Sequence, residues 1–161
     1  KDTMEGEFLA LYYEPRTINI ILIEDLIKPS QFAGYANLGG ISLRNMPYIV
    51  ILATANKETW IHELGHYFGL EHTFETPLGL VNNSDCASKG DKICDTPADP
   101  LGSYDASTCI YTGNLKDANG EFYNPLLENY MSYYVGCTKS FTNQQYKKMI
   151  ATYKIDPEAH F

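Results

Sequence analysis

A chain of 161 residues is one domain's worth, long enough to bury a core and too short for two ordinary domains. Twelve Lys and Arg against twenty Asp and Glu leave a net charge of −8, with no basic cluster longer than Lys147-Lys148, which excludes nucleic acid and anionic membranes as partners. The longest apolar runs, 18–23 with Asn19 inside and 49–53, are strand-sized against the roughly 20 residues that a membrane helix needs.

In chain order, residues 2–13 read as a helix. Asp2 stands in a capping position with Glu5 three residues on, and Met4, Phe8, Leu11 and Tyr12 recur at helical spacing before Pro15. No signal-peptide pattern opens the chain, since KDTMEGEFLALYYEP has acidic residues where an apolar stretch belongs; an exported protein would be present here as its mature form. RTINIILI, 16–23, predicts a buried strand, a loop is expected around Pro29 and Gly34 with another turn at Gly39-Gly40, and PYIVILAT, 47–54, predicts a second strand. From Ala55 to Tyr67 a stripe of Trp60, Ile61, Leu64, Tyr67 and Phe68 predicts an amphipathic helix that Gly69 ends. Residues 73–124 show little periodicity, and so long an irregular stretch needs cross-links, metal or function to be tolerated. Thr142 and Gln145 form a second capping box for a last helix with Tyr146, Met149, Ile150 and Tyr153 on one face. The tail histidine, His160, is expected to have no role.

Cys86, Cys94, Cys109 and Cys137 have no C-x-x-C spacing, so they read as two disulfides and an oxidising compartment. Three connectivities are open. The pairing Cys86–Cys109 with Cys94–Cys137 is the one expected here.

The chemistry concentrates in HELGHYFGLEH, 62–72. His62 and His66 lie four apart, so both imidazoles project from one helix face and can hold a single ion. Glu63, beside the first, is angled away from the ion and can reach a water bound to it. Gly69 lets the chain reverse, so that His72 returns as a third ligand. Three neutral imidazoles and one open position describe a catalytic zinc site, whereas structural zinc sites are closed by protein. Glu63 is then the general base that takes a proton from the water and returns it to the leaving amine. A bare H-E-x-x-H also occurs by chance on core helices, but Gly69 and His72 at their offsets each have a physical reason.

The pattern of His62, Glu63, His66, Gly69 and His72 resembles the metzincin metallopeptidases. Met131 in ENYMSYY matches their downstream methionine turn, and Tyr133 matches a tyrosine that stabilises the tetrahedral intermediate in several of these families. His72-Thr73-Phe74, GDKICDTP at 90–97, the turn at 129–133 and Phe141-Thr142 with Gln145 narrow the resemblance to the pappalysins, over about residues 60–150, and Gly34-Tyr35-Ala36 weakly extends it upstream. GDKICDTP resembles the calcium loop of ulilysin-like members, which implies Asp91, Thr96 and backbone carbonyls around Ca²⁺, with Asp95 orienting the loop or binding. Two departures stand out. Only 61 residues precede His62, so the upper sheet is expected to be reduced or the chain trimmed. YYVGC, 133–137, lacks the carboxylate of arginine-preferring relatives, so the residue after the cleaved bond is expected to be uncharged or apolar.

The resemblance implies an α+β metzincin fold in one catalytic domain, 1–161. Its upper part, 1–69, would hold a twisted mixed sheet and the site helix, with strand 47–54 as a possible edge that pairs with substrate. Its lower part, 70–161, would be irregular, held by disulfides and calcium, with Met131 and the last helix. The expected function is a secreted, monomeric zinc endopeptidase acting on proteins or peptides. The rival is a secreted zinc- or calcium-binding module that has lost catalysis and binds a protein partner, which leaves Glu63 without a purpose. A thermolysin-like peptidase with a later glutamate as third ligand is disfavoured, because His72 already fills that place.

Overall fold

The computed structural model describes residues 2–25, 33–37 and 46–155, with side chains from residue 6 to 154. The expected turns at Pro29 and Gly39-Gly40, the side chains of Asp2, Met4 and Glu5, and His160 lie outside the described residues. The chain gathers into two compact units, one of Lys1–Gly69 with Met149–Phe161 and one of Leu70–Lys148.

The first unit begins with helix α1, Asp2–Tyr12. The face expected to be buried is not. Phe8, Leu11 and Tyr12 are 44%, 77% and 67% exposed, while Leu9 is buried. Strand β1, Asn19–Ile23, starts three residues later than the sequence pattern predicts. The cause is local: Arg16 takes a left-handed φ of 65°, and Asn19 turns its side chain back to accept from the Glu14 N–H at 2.9 Å and donate to the Glu14 carbonyl at 2.8 Å. β1 is also half-buried rather than buried, with Ile20 and Leu22 facing solvent.

Strands β2, Gly34–Ala36, and β3, Tyr48–Leu52, complete a mixed sheet in the order β1-β3-β2, so Gly34, expected in a loop, instead opens a strand and pairs with Ile51. β1 runs parallel to β3 and β2 antiparallel to it. The strand expected to offer an edge to substrate is therefore the central one, its backbone engaged on both sides. Its β-branched residues fit that place, since a strand covered on both faces reads as a continuous apolar run. Ile49 and Ile51 are fully buried and pack with Tyr67 of helix α2, Lys57–Tyr67, and with the partly buried Trp60, Leu64 and Phe68. The predicted stripe is thus the surface that fixes α2 on the sheet.

The second unit is mostly turns, with a two-stranded ribbon of β4, Tyr104–Asp105, and β5, Ile110–Tyr111. Its disulfides are Cys86–Cys94 and Cys109–Cys137, which overturns the expected pairing. Asn83 explains the first. Its side chain donates to the carbonyls of Cys94 and Thr96, folding 83–86 onto the loop that carries Cys94. Cys137 instead lies in a second core with Leu127, Tyr134, Tyr104, Cys109 and Tyr111, where it meets Cys109. Helix α3, Asn143–Ile155, begins at the predicted capping box: Thr142 N–H donates to Gln145 Oε1 at 2.9 Å and Gln145 N–H to Thr142 Oγ1 at 3.2 Å. Of the face predicted for it, Met149 and Tyr153 are partly buried while Tyr146 and Ile150 are about half exposed.

Candidate metal centre

Helix α2 is capped by Asn56, whose side chain accepts from the Thr59 N–H at 2.9 Å. This fixes the helical phase from its first turn. One turn apart, His62 and His66 bring their Nε2 atoms to 3.1 Å, with the rings edge to face. Two nitrogens bound to one tetrahedral zinc at 2.0–2.1 Å stand about 3.3 Å apart, so the pair fits such an ion. Gly69 has φ 87° and donates to the His66 carbonyl at 2.8 Å, closing the helix in a conformation that an L side chain resists. Within the stretch 62–72, one ring nitrogen from each of His62, His66 and His72 lies within 4.8 Å of the others, the one group of three or more His, Cys, Asp or Glu among the described residues so placed that it could hold a metal ion.

Glu63 is not a surface carboxylate. It is 6% exposed, and its Oε2 has no hydrogen-bond partner. Burial pushes its carboxyl up to about 7. A buried, unsatisfied carboxylate oxygen beside a ligating histidine is the feature a metal-bound water would satisfy. Gly34 on β2 abuts it: a Cβ there would meet Glu63 Cγ at 3.2 Å. The sequence marked Gly34 only as a weak likeness, because the contact that gives it meaning spans residues 34 and 63.

In the second unit, His72 stacks on Phe74 with ring centroids 4.7 Å apart and meets the Tyr133 ring edge-on at 4.8 Å. Its Nδ1 lies 3.5 Å from Glu75 Oε1. The sequence pattern did not single out Glu75. Met131 is fully buried, and its carbonyl accepts from the Thr73 N–H at 3.1 Å, joining the methionine turn to the residue after His72. The turn is held in place by Asn129, whose Oδ1 accepts from the Met131 N–H at 2.9 Å. Asn129 and Gln145, both fully buried, exchange side-chain amide hydrogen bonds at 2.8 and 3.1 Å.

The loop 91–96 gathers oxygens without partners. Asp91 and Thr96 are buried, and Asp91 Oδ2, Thr96 Oγ1 and Asp95 Oδ1 have no hydrogen-bond partner. Burial first of all pushes the Asp91 carboxyl up to about 7, against the Ile93 N–H that favours its charged form. Asp91 and Thr96 line one cavity with Asn83 and Asp85. Asp95 uses its other oxygen to accept from the Gln144 N–H at 2.9 Å, in the first turn of α3.

A family model described as pregnancy-associated plasma protein-A, a peptidase family, matches residues 18–154. Extracellular metalloproteases of Neurospora crassa and Colletotrichum graminicola are 36% and 37% identical over 92 residues, 56% of this chain and 28% of theirs. The chain thus spans a little over a quarter of the length of these curated relatives. Among solved structures, mature mirolysin of Tannerella forsythia in complex with a cleaved peptide has a TM-score of 0.60 at 23% identity, covering 90% of this chain and 55% of that one. That likeness is one of fold.

Proposed function

The chain belongs to the pregnancy-associated plasma protein-A family of peptidases, the pappalysins, and has the α+β metzincin fold expected of it; from that premise we propose that it is a secreted zinc endopeptidase. The observation that carries the reading is the trio of His62, His66 and His72 nitrogens with the buried, unpartnered carboxylate of Glu63 on the same helix turn as His62. The donor set fits zinc: three neutral imidazoles leave one position for water or substrate. Zinc held there supplies a Lewis acid that lowers the pKa of a bound water toward about 7 and polarises the scissile carbonyl.

The chain's own groups do the rest. Glu63 takes a proton from the attacking water and returns it to the leaving amine. Tyr133, 38% exposed and lodged against His72 and Phe74, donates its hydroxyl to the oxyanion that develops. β2, an edge strand among the described residues, offers its backbone to an extended peptide, in place of the central β3. No carboxylate lies between Tyr133 and Cys137, so an uncharged or apolar residue follows the cleaved bond. The loop oxygens of Asp91 and Thr96, with Asp95, fit a structural Ca²⁺, a hard ion that takes oxygen donors. The relatives named extracellular and the two disulfides support export, and the enzyme acts as a monomer on protein or peptide substrates.

Glu63→Gln tests the reading. The variant is expected to retain zinc by metal analysis while cleavage of denatured casein falls at least about 100-fold, the lower end of what a general base contributes. Equal inertness of wild type and variant in zinc and calcium would instead favour a noncatalytic binding module.

A further inference from the structure

We propose that Asp99 is a positioning residue for the peptidase site, its carboxylate tying the residue after His72 to the residue after Tyr133. The proposal rests on the zinc-peptidase reading. Asp99 is 1% exposed, yet both of its oxygens are engaged. Oδ2 accepts from Thr73 Oγ1 at 2.7 Å; Oδ1 accepts from the Tyr134 hydroxyl at 2.7 Å and from the Leu101 N–H at 2.8 Å. Three donors on one buried carboxylate offset its loss of water, and hydrogen bonds to a charged acceptor are the strong ones.

The two hydroxyl donors are both neighbours of the site. Thr73, 3% exposed, is anchored twice, by its hydroxyl to Asp99 and by its N–H to the Met131 carbonyl. Tyr134 is fully buried, and burial together with the Asp99 charge holds its phenol well above the ordinary range, so it remains a donor. Adjacent Cα atoms are fixed about 3.8 Å apart by a trans peptide, so holding residues 73 and 134 restrains His72 and Tyr133. Those two side chains are the pair that meet, at 4.8 Å and 71° between ring planes. Stability alone does not account for a carboxylate here, because a buried charge is often no more stabilising than apolar filler of the same size. What a fully satisfied polar network adds is a single geometry.

Each arm can be cut separately in the whole chain. Thr73→Val removes the bond on the His72 side and Thr73→Ser keeps it; Tyr134→Phe removes the bond on the Tyr133 side. Zinc affinity is read by chelator competition, kcat and KM on a quenched-fluorescent peptide with an apolar residue after the scissile bond, and folding by thermal denaturation. Thr73→Val is expected to weaken zinc about 10- to 100-fold, as loss of a residue supporting a ligand does, with Thr73→Ser restoring it. Tyr134→Phe is expected to lower kcat about 10-fold at unchanged KM and zinc affinity. Asp99→Asn should combine both defects. If Thr73→Val keeps its zinc affinity and Tyr134→Phe its kcat, whatever their melting temperatures, Asp99 is a structural group only and the proposal is overturned. A wild-type chain that binds no zinc, or binds it and cuts nothing, removes the peptidase reading and the proposal together.

Discussion

A methyl group added at Gly34 would meet the Val50 carbonyl oxygen at 2.8 Å and Glu63 Cγ at 3.2 Å. The backbone oxygen cannot yield cheaply, so Gly34→Ala must shift either β2 or the carboxylate. Overpacking of this kind costs about 1–3 kcal/mol. Gly34→Ala is expected to destabilise by that amount in denaturant unfolding and to lower kcat by more than it raises KM, since Glu63 is displaced. Unchanged kcat would mean that the strand, not Glu63, absorbs the methyl. Gly69 tests a different physics. At φ 87° the cost of Gly69→Ala is about 1–2 kcal/mol of left-handed strain, and its measurable consequence is weaker zinc, because the turn that returns His72 is what is strained. The two glycines also differ in legibility. Gly69 could be read from its offset to His66 and His72, whereas Gly34, Glu75 and Asp99 acquire meaning only from partners that folding brings to them.

At the scale of elements, α2 was readable in its buried stripe and its end, where the apolar positions and Gly69 agree, whereas its start lies at Lys57 behind the Asn56 cap, two residues after the expected Ala55. α1 was readable as a helix but not in its buried side, where Leu9 rather than Phe8, Leu11 and Tyr12 is covered. Periodicity reports which face can be buried, and packing partners decide whether it is. The capping box of α3 was legible, but not its second use. Gln145 caps the helix and also pairs with Asn129, which holds the Met131 N–H. Asn129→Ala therefore strands a buried amide and the Met131 N–H together, at about 1–3 kcal/mol for each buried group left unpaired. A loss of at least about 2 kcal/mol in urea unfolding is expected, with zinc affinity falling because Met131 anchors the residue after His72. A loss under about 0.5 kcal/mol would show that water replaces the amide.

For the molecule as a whole, the buried carboxyls contribute to how stability follows pH when metal is absent. Glu63 and Asp91 both titrate at about 7 in the folded chain, raised by burial. Unfolded, each would ionise near its ordinary value, about 4. Below that value the proton is bound in both states and nothing is lost. As pH rises from about 4 to 7 the unfolded chain releases these protons while the folded chain keeps them, so folding becomes progressively less favourable. Asp105 and Asp117 are shifted the other way, below their ordinary value, and so do not titrate in this window. The contribution of these two carboxyls makes the chelated protein melt at a lower temperature at pH 8 than at pH 5. Calcium should reverse the order by giving the ionised Asp91 a partner, in addition to what any ligand selective for the folded state contributes. Asp91→Asn separates the two carboxyls. In chelator it should raise the melting temperature at pH 8 and flatten the dependence to the part due to Glu63, and it should remove the response to calcium. A variant that still gains as much from calcium as the wild type would take Asp91 out of the ion's ligand set.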